Sequence, residues 1–107
     1  MITLNVSRFE ETILPNSKKL LLYRIIQEQL NNIIKHANAT EVYIELFNLE
    51  NNCELLIRDN GIGAQLSNRK DGLGLKNIRN RVEVLNGDVE FVSSQGNGFC
   101  MQICFAA

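Results

Sequence analysis

Residues 18–37 read KKLLLYRIIQEQLNNIIKHA, and this stretch decides the fold because it predicts one long helix with a wide apolar face. Placing successive residues 100° apart gathers most of the apolar side chains into one stripe, which is typical of a core helix of about five turns. The helix is predicted from Lys18 to about His36. The predicted stripe consists of Leu22, Tyr23, Ile26, Leu30, Ile33, Ile34 and Ala37. Such a stripe has to be buried against another element.

The sequence on both sides of this helix alternates in polarity, as half-buried strands do. Two pairs of alternating runs are joined by turn-forming residues, and each pair therefore predicts a hairpin. A second helix is predicted from Leu75 to Leu85, where apolar residues return at helical spacing. The predicted strands span 2–6, 41–49, 53–58, 88–93 and 99–105. This order predicts an α+β fold, a two-layer sandwich in which helices cover one face of a mixed, mostly antiparallel sheet.

Length and composition fit one compact domain, residues 1–107. The chain is 45% hydrophobic and 21% charged, which excludes wholesale disorder, and it has neither a membrane span nor a signal peptide pattern. A formal charge of −1 argues against a partner nucleic acid. Cys100 and Cys104 share a strand parity and are expected to be buried and reduced. We therefore expect a cytoplasmic domain without direct membrane contact.

One side of the long helix carries a carboxylate, an amide and an ammonium group in a row. Glu28, Asn32 and Lys35 are spaced i, i+4 and i+7, and the helical period turns them about 160 to 200° away from the apolar stripe. Oxygen atoms for Mg²⁺ beside a cation for phosphate are what a metal–phosphate ligand requires. A solvated helix face with a Glu–Lys pair has the same appearance, so the helix alone leaves both interpretations open.

Residues 59–63 read DNGIG and follow the second strand of the first hairpin. Asp59 has the parity of the apolar positions before it, so its carboxylate is expected to point into the layer between sheet and helices. A buried carboxylate needs a hydrogen-bond donor, and the exocyclic amine of a purine is one. Gly61 and Gly63 permit a positive φ and a close approach to a flat ligand. A plain turn at the exit of a hairpin would use the same residues.

Residues 71–75 read DGLGL and stand directly before the second helix. Free amides at a helix N-terminus, exposed by glycines, bind phosphate oxygens through hydrogen bonds and the helix dipole. The motif is not the dinucleotide fingerprint, because the third glycine and a parallel strand–loop–helix unit are missing. It is not a Walker loop either, since that loop needs Gly-Lys-Ser/Thr. Alone, this motif is weak evidence for a nucleotide.

Together, in this order and spacing, the three motifs resemble the ATP-binding boxes of the GHKL superfamily, which has a Bergerat-type fold. Its members include gyrase, the ATP-dependent heat-shock chaperone, histidine kinases and the mismatch-repair ATPase. Residues 24–37 resemble the N box of sensor histidine kinases of the NarX/DegS/DesK type, which begins with glutamate and has asparagine four residues later. Residues 59–63 resemble the first glycine box and residues 72–81 the second. The resemblance covers residues 14–105.

The resemblance implies the cofactors ATP and Mg²⁺ and a role for each motif. Glu28 is implied as the catalytic residue, which orients or activates the attacking group or holds metal-bound water. Asn32 is implied as the ligand of the Mg²⁺ that bridges the phosphates, and Asp59 as the acceptor for the adenine amino group. The cofactor-binding residues that the resemblance implies are Asn32, Lys35, Asp59, Gly61, Gly63, Gly72, Gly74 and Leu75. Between the glycine boxes, it implies a short ATP lid.

The implied function is that of the ATP-binding catalytic domain of a two-component sensor histidine kinase. Such a domain supplies the γ-phosphoryl group of Mg-ATP to a histidine on a separate dimerisation domain, and a response regulator acts downstream. His36, the only histidine, is followed by alanine where the acceptor typically has an acidic neighbour, so a structural role is predicted for it. The acceptor domain is therefore expected to be absent from these 107 residues.

Phe99 departs from the family pattern, which usually has threonine after the closing Gly-x-Gly. Loss of that hydroxyl is expected to weaken adenine binding by about 0.5 to 1.5 kcal/mol, offset in part by packing of the aromatic ring. Two other functions stay open at this point. One is a GHKL protein of different output, an anti-sigma serine kinase or an ATPase clamp. The other is a nucleotide-dead interaction module in which Phe99 fills the base pocket.

Overall fold

The computed structural model describes residues 2–6, 14–63, 75–93 and 96–106. Two helices and five strands form in these residues, and the long helix ends in a π-helical turn. In chain order the elements are β1 (Ile2–Val6), α1 (Asn16–Asn32), the π turn (Ile33–Ala37), β2 (Val42–Leu49), β3 (Asn52–Asp59), α2 (Leu75–Val84), β4 (Asp88–Ser93) and β5 (Phe99–Ala106).

The strands form one sheet in the order β1-β2-β3-β5-β4. The edge strand β1 runs parallel to β2, and the other three pairings are antiparallel. At one end of the sheet the register places Asp59 between Val42 of β2 and Phe99 of β5. The mixed, mostly antiparallel sheet predicted from the alternating runs is therefore confirmed.

The core lies between the helices and one face of this sheet. Every second residue of β3 and β5 and three alternate residues of β2 are buried, and the apolar ones form one cluster with apolar residues of α1 and α2. The alternate residues of the same strands are less buried and carry most of the polar side chains. The largest fully buried apolar side chains are Phe105, Leu22, Ile25, Leu55, Ile57, Ile78, Leu85, Met101 and Ile103. This two-layer packing is the predicted α+β sandwich.

The buried face of α1 differs from the predicted stripe. Tyr23 is 47% exposed and Ile34 77% exposed, whereas Ile25 and Gln29 are buried. The apolar residues of this helix span a wider arc than the sheet covers. Periodicity alone therefore centred the predicted stripe to one side of the face that is buried. Regular α-helix ends at Asn32, and the π turn extends the helical segment to Ala37, close to the predicted end at about His36.

The cysteines also differ in part from the expectation. Cys53 is fully buried, but Cys100 and Cys104 are only half-buried and alternate with the buried residues of β5, so they lie on the outer face of the sheet. All three are free thiols. Burial raises the pKa of Cys53 to about 11, so this thiol is protonated and unreactive at neutral pH. Among the described residues, no helix combines the length and the apolar composition that crossing a bilayer requires.

Candidate functional site

Asp59 is a buried carboxylate with one oxygen in use and one without a partner. It is 5% exposed, and its Oδ1 accepts a hydrogen bond of 2.8 Å from the backbone N–H of Gly61. Its Oδ2 is also buried but has no hydrogen-bond partner among the described residues. Burial raises the pKa of Asp59, and the Gly61 N–H opposes this rise. A buried acceptor without a donor is rare in folded proteins, which makes Oδ2 a candidate for contact with a ligand.

Gly98 and Phe99 lie beside Asp59 at the start of β5. Gly98 has φ +75°, and a Cβ added there would collide with the carbonyl oxygen of Asp59, so this position needs glycine. Phe99, opposite Asp59 in the register, is 8% exposed, and its ring centroid lies 5.9 Å from that of Phe91. The side chain that replaces the family's threonine therefore belongs to the core beside Asp59.

The loop after Asp59 contacts the C-terminal end of the long helical segment and is hydrogen-bonded to it. The Ile62 N–H donates to the carbonyl oxygen of Ala37 at 2.8 Å, and a Cβ added at Gly61 would collide with the same carbonyl. The Asn60 side chain accepts from the N–H groups of Thr40 and Glu41 at 3.0 and 2.9 Å. The first glycine box and the C-terminal end of the N box are thus in direct contact, as one ligand site requires.

Gly63 has φ +70° and needs the conformational freedom of glycine, as predicted, whereas Gly61 has no positive φ and is required by its close contact with Ala37. The structure describes only part of the second glycine box. Gly72 and Gly74 lie outside the described residues, and of that motif only Leu75 lies inside them. It is the first residue of α2 and is 3% exposed.

Glu28 faces the second helix. Its Oε2 lies 3.9 Å from Nη1 of Arg81 on α2, and the two side chains are 28% and 30% exposed. The same Nη1 is buried and has no hydrogen-bond partner within the described residues. Sequence reasoning quoted Arg81 as part of the second glycine box but gave it no role. This ion pair could not be predicted from the sequence pattern, because residues 28 and 81 are far apart in sequence and only the tertiary fold brings them together.

Asn32 is half-buried and its side chain is held by a neighbour. Its Nδ2 donates a hydrogen bond of 3.3 Å to Oε1 of Gln29, one turn earlier in α1. Gln29 is 2% exposed, and sequence reasoning missed it because a glutamine inside an apolar face breaks the pattern. Lys35, the third predicted residue of this side, is exposed on the π turn.

The donor set of α1 fits a magnesium–phosphate group. Mg²⁺ prefers oxygen ligands and usually keeps several waters and substrate phosphates in its shell, so it needs few protein atoms. The Oδ1 of Asn32 and the carboxylate of Glu28 would supply such oxygens, and Lys35 would supply a cation towards the C-terminal end of the helical segment. The unpartnered Oδ2 of Asp59 fits the amino group of adenine.

Residues 17–107 match the sequence profile of the family described as histidine kinase-, DNA gyrase B- and HSP90-like ATPases. The chain belongs to this family. The match confirms the resemblance to the GHKL superfamily that was inferred from the three motifs.

Curated members of this family with similar sequences are sensor kinases. The chain is 39% identical over 101 residues to the sensor histidine kinase ComP of Bacillus subtilis, covering 92% of this chain and 13% of ComP. It is 37% identical over 89 residues to the signal transduction histidine-protein kinase/phosphatase UhpB of Salmonella typhimurium, covering 83% of this chain and 18% of UhpB. The chain therefore spans less than a fifth of the length of these two relatives. They support the NarX/DegS-type assignment within the family.

Solved structures of family members share the fold. The blue-light activated histidine kinase of Erythrobacter litoralis EL346 superposes with a TM-score of 0.81 at 18% identity, covering 98% of this chain and 35% of that one. Full-length ShkA in complex with AMPPNP superposes with a TM-score of 0.77 at 20% identity, covering 99% of this chain and 26% of ShkA. At these identities the likeness establishes the α+β architecture.

Proposed function

We propose that this chain is the ATP-binding catalytic domain of a two-component sensor histidine kinase, with residues 1–107 acting as one domain. The observation that carries the proposal is the buried Asp59, whose Oδ2 has no partner among the described residues. Membership of the ATPase family and 37–39% identity to two sensor kinases support it. The AMPPNP complex of ShkA, a structural neighbour, supports an adenine nucleotide as the ligand.

Asp59 recognises the base in this proposal. The Gly61 N–H occupies Oδ1 and fixes the carboxylate plane, which leaves Oδ2 to accept from the exocyclic amine of adenine. Guanine presents a carbonyl oxygen at the corresponding position and would be repelled by the carboxylate, so adenine is preferred over guanine. Because the carboxylate is already buried in the free protein, little further desolvation of it accompanies binding. Gly61 and Gly63 keep the loop backbone close to the base.

The polar residues of α1 and of the π turn bind the triphosphate in this proposal. Asn32 supplies an oxygen ligand to Mg²⁺, and Lys35 contacts phosphate as a point charge. Mg²⁺ neutralises charge that develops on the transferred γ-phosphoryl group. Gly72 and Gly74, which precede α2 in the sequence, and Leu75, its first residue, add backbone amides for the phosphates in this proposal.

Glu28 is the proposed catalytic residue. Its carboxylate orients or activates the attacking group, or holds a metal-bound water, and Arg81 at 3.9 Å keeps it on the side that faces α2. The acceptor histidine and its general base belong to a separate dimerisation domain, and a response regulator receives the phosphoryl group afterwards. The domain would act in the cytoplasm, where ATP is available.

Replacement of Asn32 tests the proposal. We expect Asn32→Ala to reduce the affinity for Mg-ATP by at least about 10-fold while the fold is retained, because loss of even an outer-shell partner of a metal ligand typically costs about 10- to 100-fold. Phosphorylation of an added histidine-bearing dimerisation domain should fall in parallel. Asn31→Ala is the matched control, because Asn31 is an exposed asparagine on the same helix.

Calorimetry with Mg-ATP and circular dichroism of both variants provide the measurements. An Asn32→Ala protein that phosphorylates the dimerisation domain at the full wild-type rate would contradict the proposal. A wild-type protein that binds no adenine nucleotide would instead favour the interaction module, with Phe99 in the base pocket.

A further inference from the structure

Gln29 is an uncharged polar residue in the core of this domain, and it points at a proposed metal ligand. It is 2% exposed on the buried face of α1, between the fully buried Leu22 and Ile25 and the buried Ile33. Glutamine is seldom buried to this extent, and a leucine or methionine of similar volume would fill the same space. Its presence therefore calls for a reason other than packing.

The reason lies in the one side-chain hydrogen bond that Gln29 makes to Asn32. Its Oε1 accepts from Nδ2 of Asn32 at 3.3 Å. A carboxamide carries its oxygen and its nitrogen on the same carbon, so engagement of the nitrogen by Gln29 directs Oδ1 away from Gln29. Asn32 itself is half-buried, so its side chain is partly accessible to a ligand.

The orientation matters because the two ends of a carboxamide are chemically opposite. The oxygen is a ligand for Mg²⁺, whereas the NH₂ group carries partial positive charge and has no lone pair to offer. An asparagine that turns freely presents the wrong atom part of the time. Partners behind a metal ligand commonly fix its orientation, and their removal typically lowers metal affinity about 10- to 100-fold.

We propose that Gln29 is a positioning residue, which holds the amide nitrogen of Asn32 so that Oδ1 is the atom presented to magnesium. This inference rests on the proposed function, in which Asn32 binds Mg²⁺. It assigns a role to a core residue, Gln29. This residue is expected to affect the binding of magnesium and not the binding of the adenine base. It also predicts that stability and magnesium dependence respond differently to the same substitution.

The test compares the affinity for ADP in Mg²⁺ with the affinity in EDTA, by calorimetry on the full chain. For Gln29→Met we expect the enhancement by Mg²⁺ to fall about 10-fold, while the affinity in EDTA stays within about 2-fold of wild type. The melting temperature of the free protein should be unchanged or higher, because methionine fills the volume without a buried polar group.

Further variants make the test specific. Gln27→Met is the matched control, since Gln27 is exposed on the same helix, and it should leave the enhancement by Mg²⁺ unchanged. Gln29→Glu keeps an acceptor oxygen for Nδ2 and removes the donor. It should retain the enhancement. If Gln29→Met does not fold, Gln29→Leu removes the same acceptor oxygen and should show the same loss of enhancement.

Three results would overturn the inference. The first is an enhancement by Mg²⁺ in Gln29→Met equal to that of wild type. The second is an equal loss of affinity in Mg²⁺ and in EDTA, which would mean that Gln29 only packs the core. The third is loss of the enhancement in a folded Gln29→Glu. Failure of the proposed function is seen separately, as a wild-type protein whose ADP affinity does not respond to Mg²⁺ at all.

Discussion

Asp59 at the end of β3 and Glu28 on α1 face the same proposed nucleotide, but their surroundings are built differently. The carboxylate of Asp59 is 5% exposed, accepts a backbone N–H at 2.8 Å and sits beside the core residue Phe99. The carboxylate of Glu28 is 28% exposed and has a single ion pair at 3.9 Å. Backbone and core fix the adenine end, whereas long side chains on a helix supply the phosphate end.

The difference matches what each end has to recognise. Adenine is flat and offers a fixed pattern of donors and acceptors, so a buried group of defined orientation gives selectivity. Magnesium and phosphates are recognised mainly by charge and by oxygen ligands, and water completes the coordination. Partly exposed side chains suit that task, provided that the one amide ligand has its oxygen pointing the right way. We therefore expect substitutions at the adenine end to have the larger effects.

The largest effect is expected for Asp59→Asn. The amide would place its NH₂ against the adenine amino group, or else lose the bond to the Gly61 N–H. A hydrogen bond to a charged group contributes about 1.5 to 3 kcal/mol, so the loss should be about 10- to 100-fold or more in affinity for Mg-ATP. Calorimetry measures it, with Asp88→Asn on exposed β4 as the control. An affinity within about 3-fold of wild type would refute the adenine role of Asp59.

A second effect is expected at the contact that joins the two ends. In Gly61→Ala the new methyl group collides with the Ala37 carbonyl, and backbone has to move. We expect a loss of about 1 to 3 kcal/mol in the free energy of unfolding, as for other overpacked sites. Gly96→Ala is the control, because its methyl group meets nothing within 4 Å and only the positive φ of +85° is strained. Denaturant unfolding that ranks Gly96→Ala as the more damaging change would contradict this account.

A smaller effect is expected from restoring the family's hydroxyl. Phe99→Thr should bind Mg-ATP about 2- to 10-fold more tightly than Phe99→Val, because threonine and valine have nearly the same shape and only threonine offers a hydrogen bond near Asp59. Both variants should be less stable than wild type, since each removes a buried ring that packs on Phe91. If the affinity of Phe99→Thr equals that of wild type, the missing hydroxyl has no role in adenine binding.

The smallest effect concerns the free protein and its pH dependence. Burial raises the pKa of Asp59 above its ordinary value of 3.8, so the folded state holds a proton there more tightly than the unfolded state does. The ionised carboxylate therefore opposes folding at neutral pH, and this effect disappears as the pH falls through the raised pKa towards 3.8. Without nucleotide, Asp59→Asn should melt above wild type at pH 7, and the gap should narrow at lower pH. Thermal unfolding at several pH values checks both the sign and the trend.

The strands and the burial of Asp59 could be predicted because their signal is local. The parity of Asp59 with the apolar residues of β3 predicted its burial correctly, and the structure adds the partner of its Oδ1. The buried face of α1 was harder to predict. The apolar arc includes Tyr23 and Ile34, which the sheet does not cover, and the buried Gln29 is polar. Which part of a wide apolar arc is covered depends on the tertiary packing.

The contacts between elements distant in sequence could not be predicted from the pattern. Arg81 meets Glu28 only because α1 and α2 lie side by side, and the π turn after Asn32 has no signal in the hydrophobic periodicity. The roles of Gly72 and Gly74 remain predictions from the resemblance.

The parallel pairing of β1 with β2 has a consequence for the order in which the domain forms. Ile2 pairs with Val42 across an intervening helix, whereas Leu49 pairs with Asn52 within a tight turn. The pairing of β1 with β2 must first close the long loop between them, and the entropy cost of that closure makes the step slow. The short β2–β3 hairpin has a much shorter loop and closes early. The β2–β3 hairpin is therefore suited to nucleate folding, with β1 joining late as the outermost strand. Substitutions in β1 should accelerate unfolding more than they slow folding.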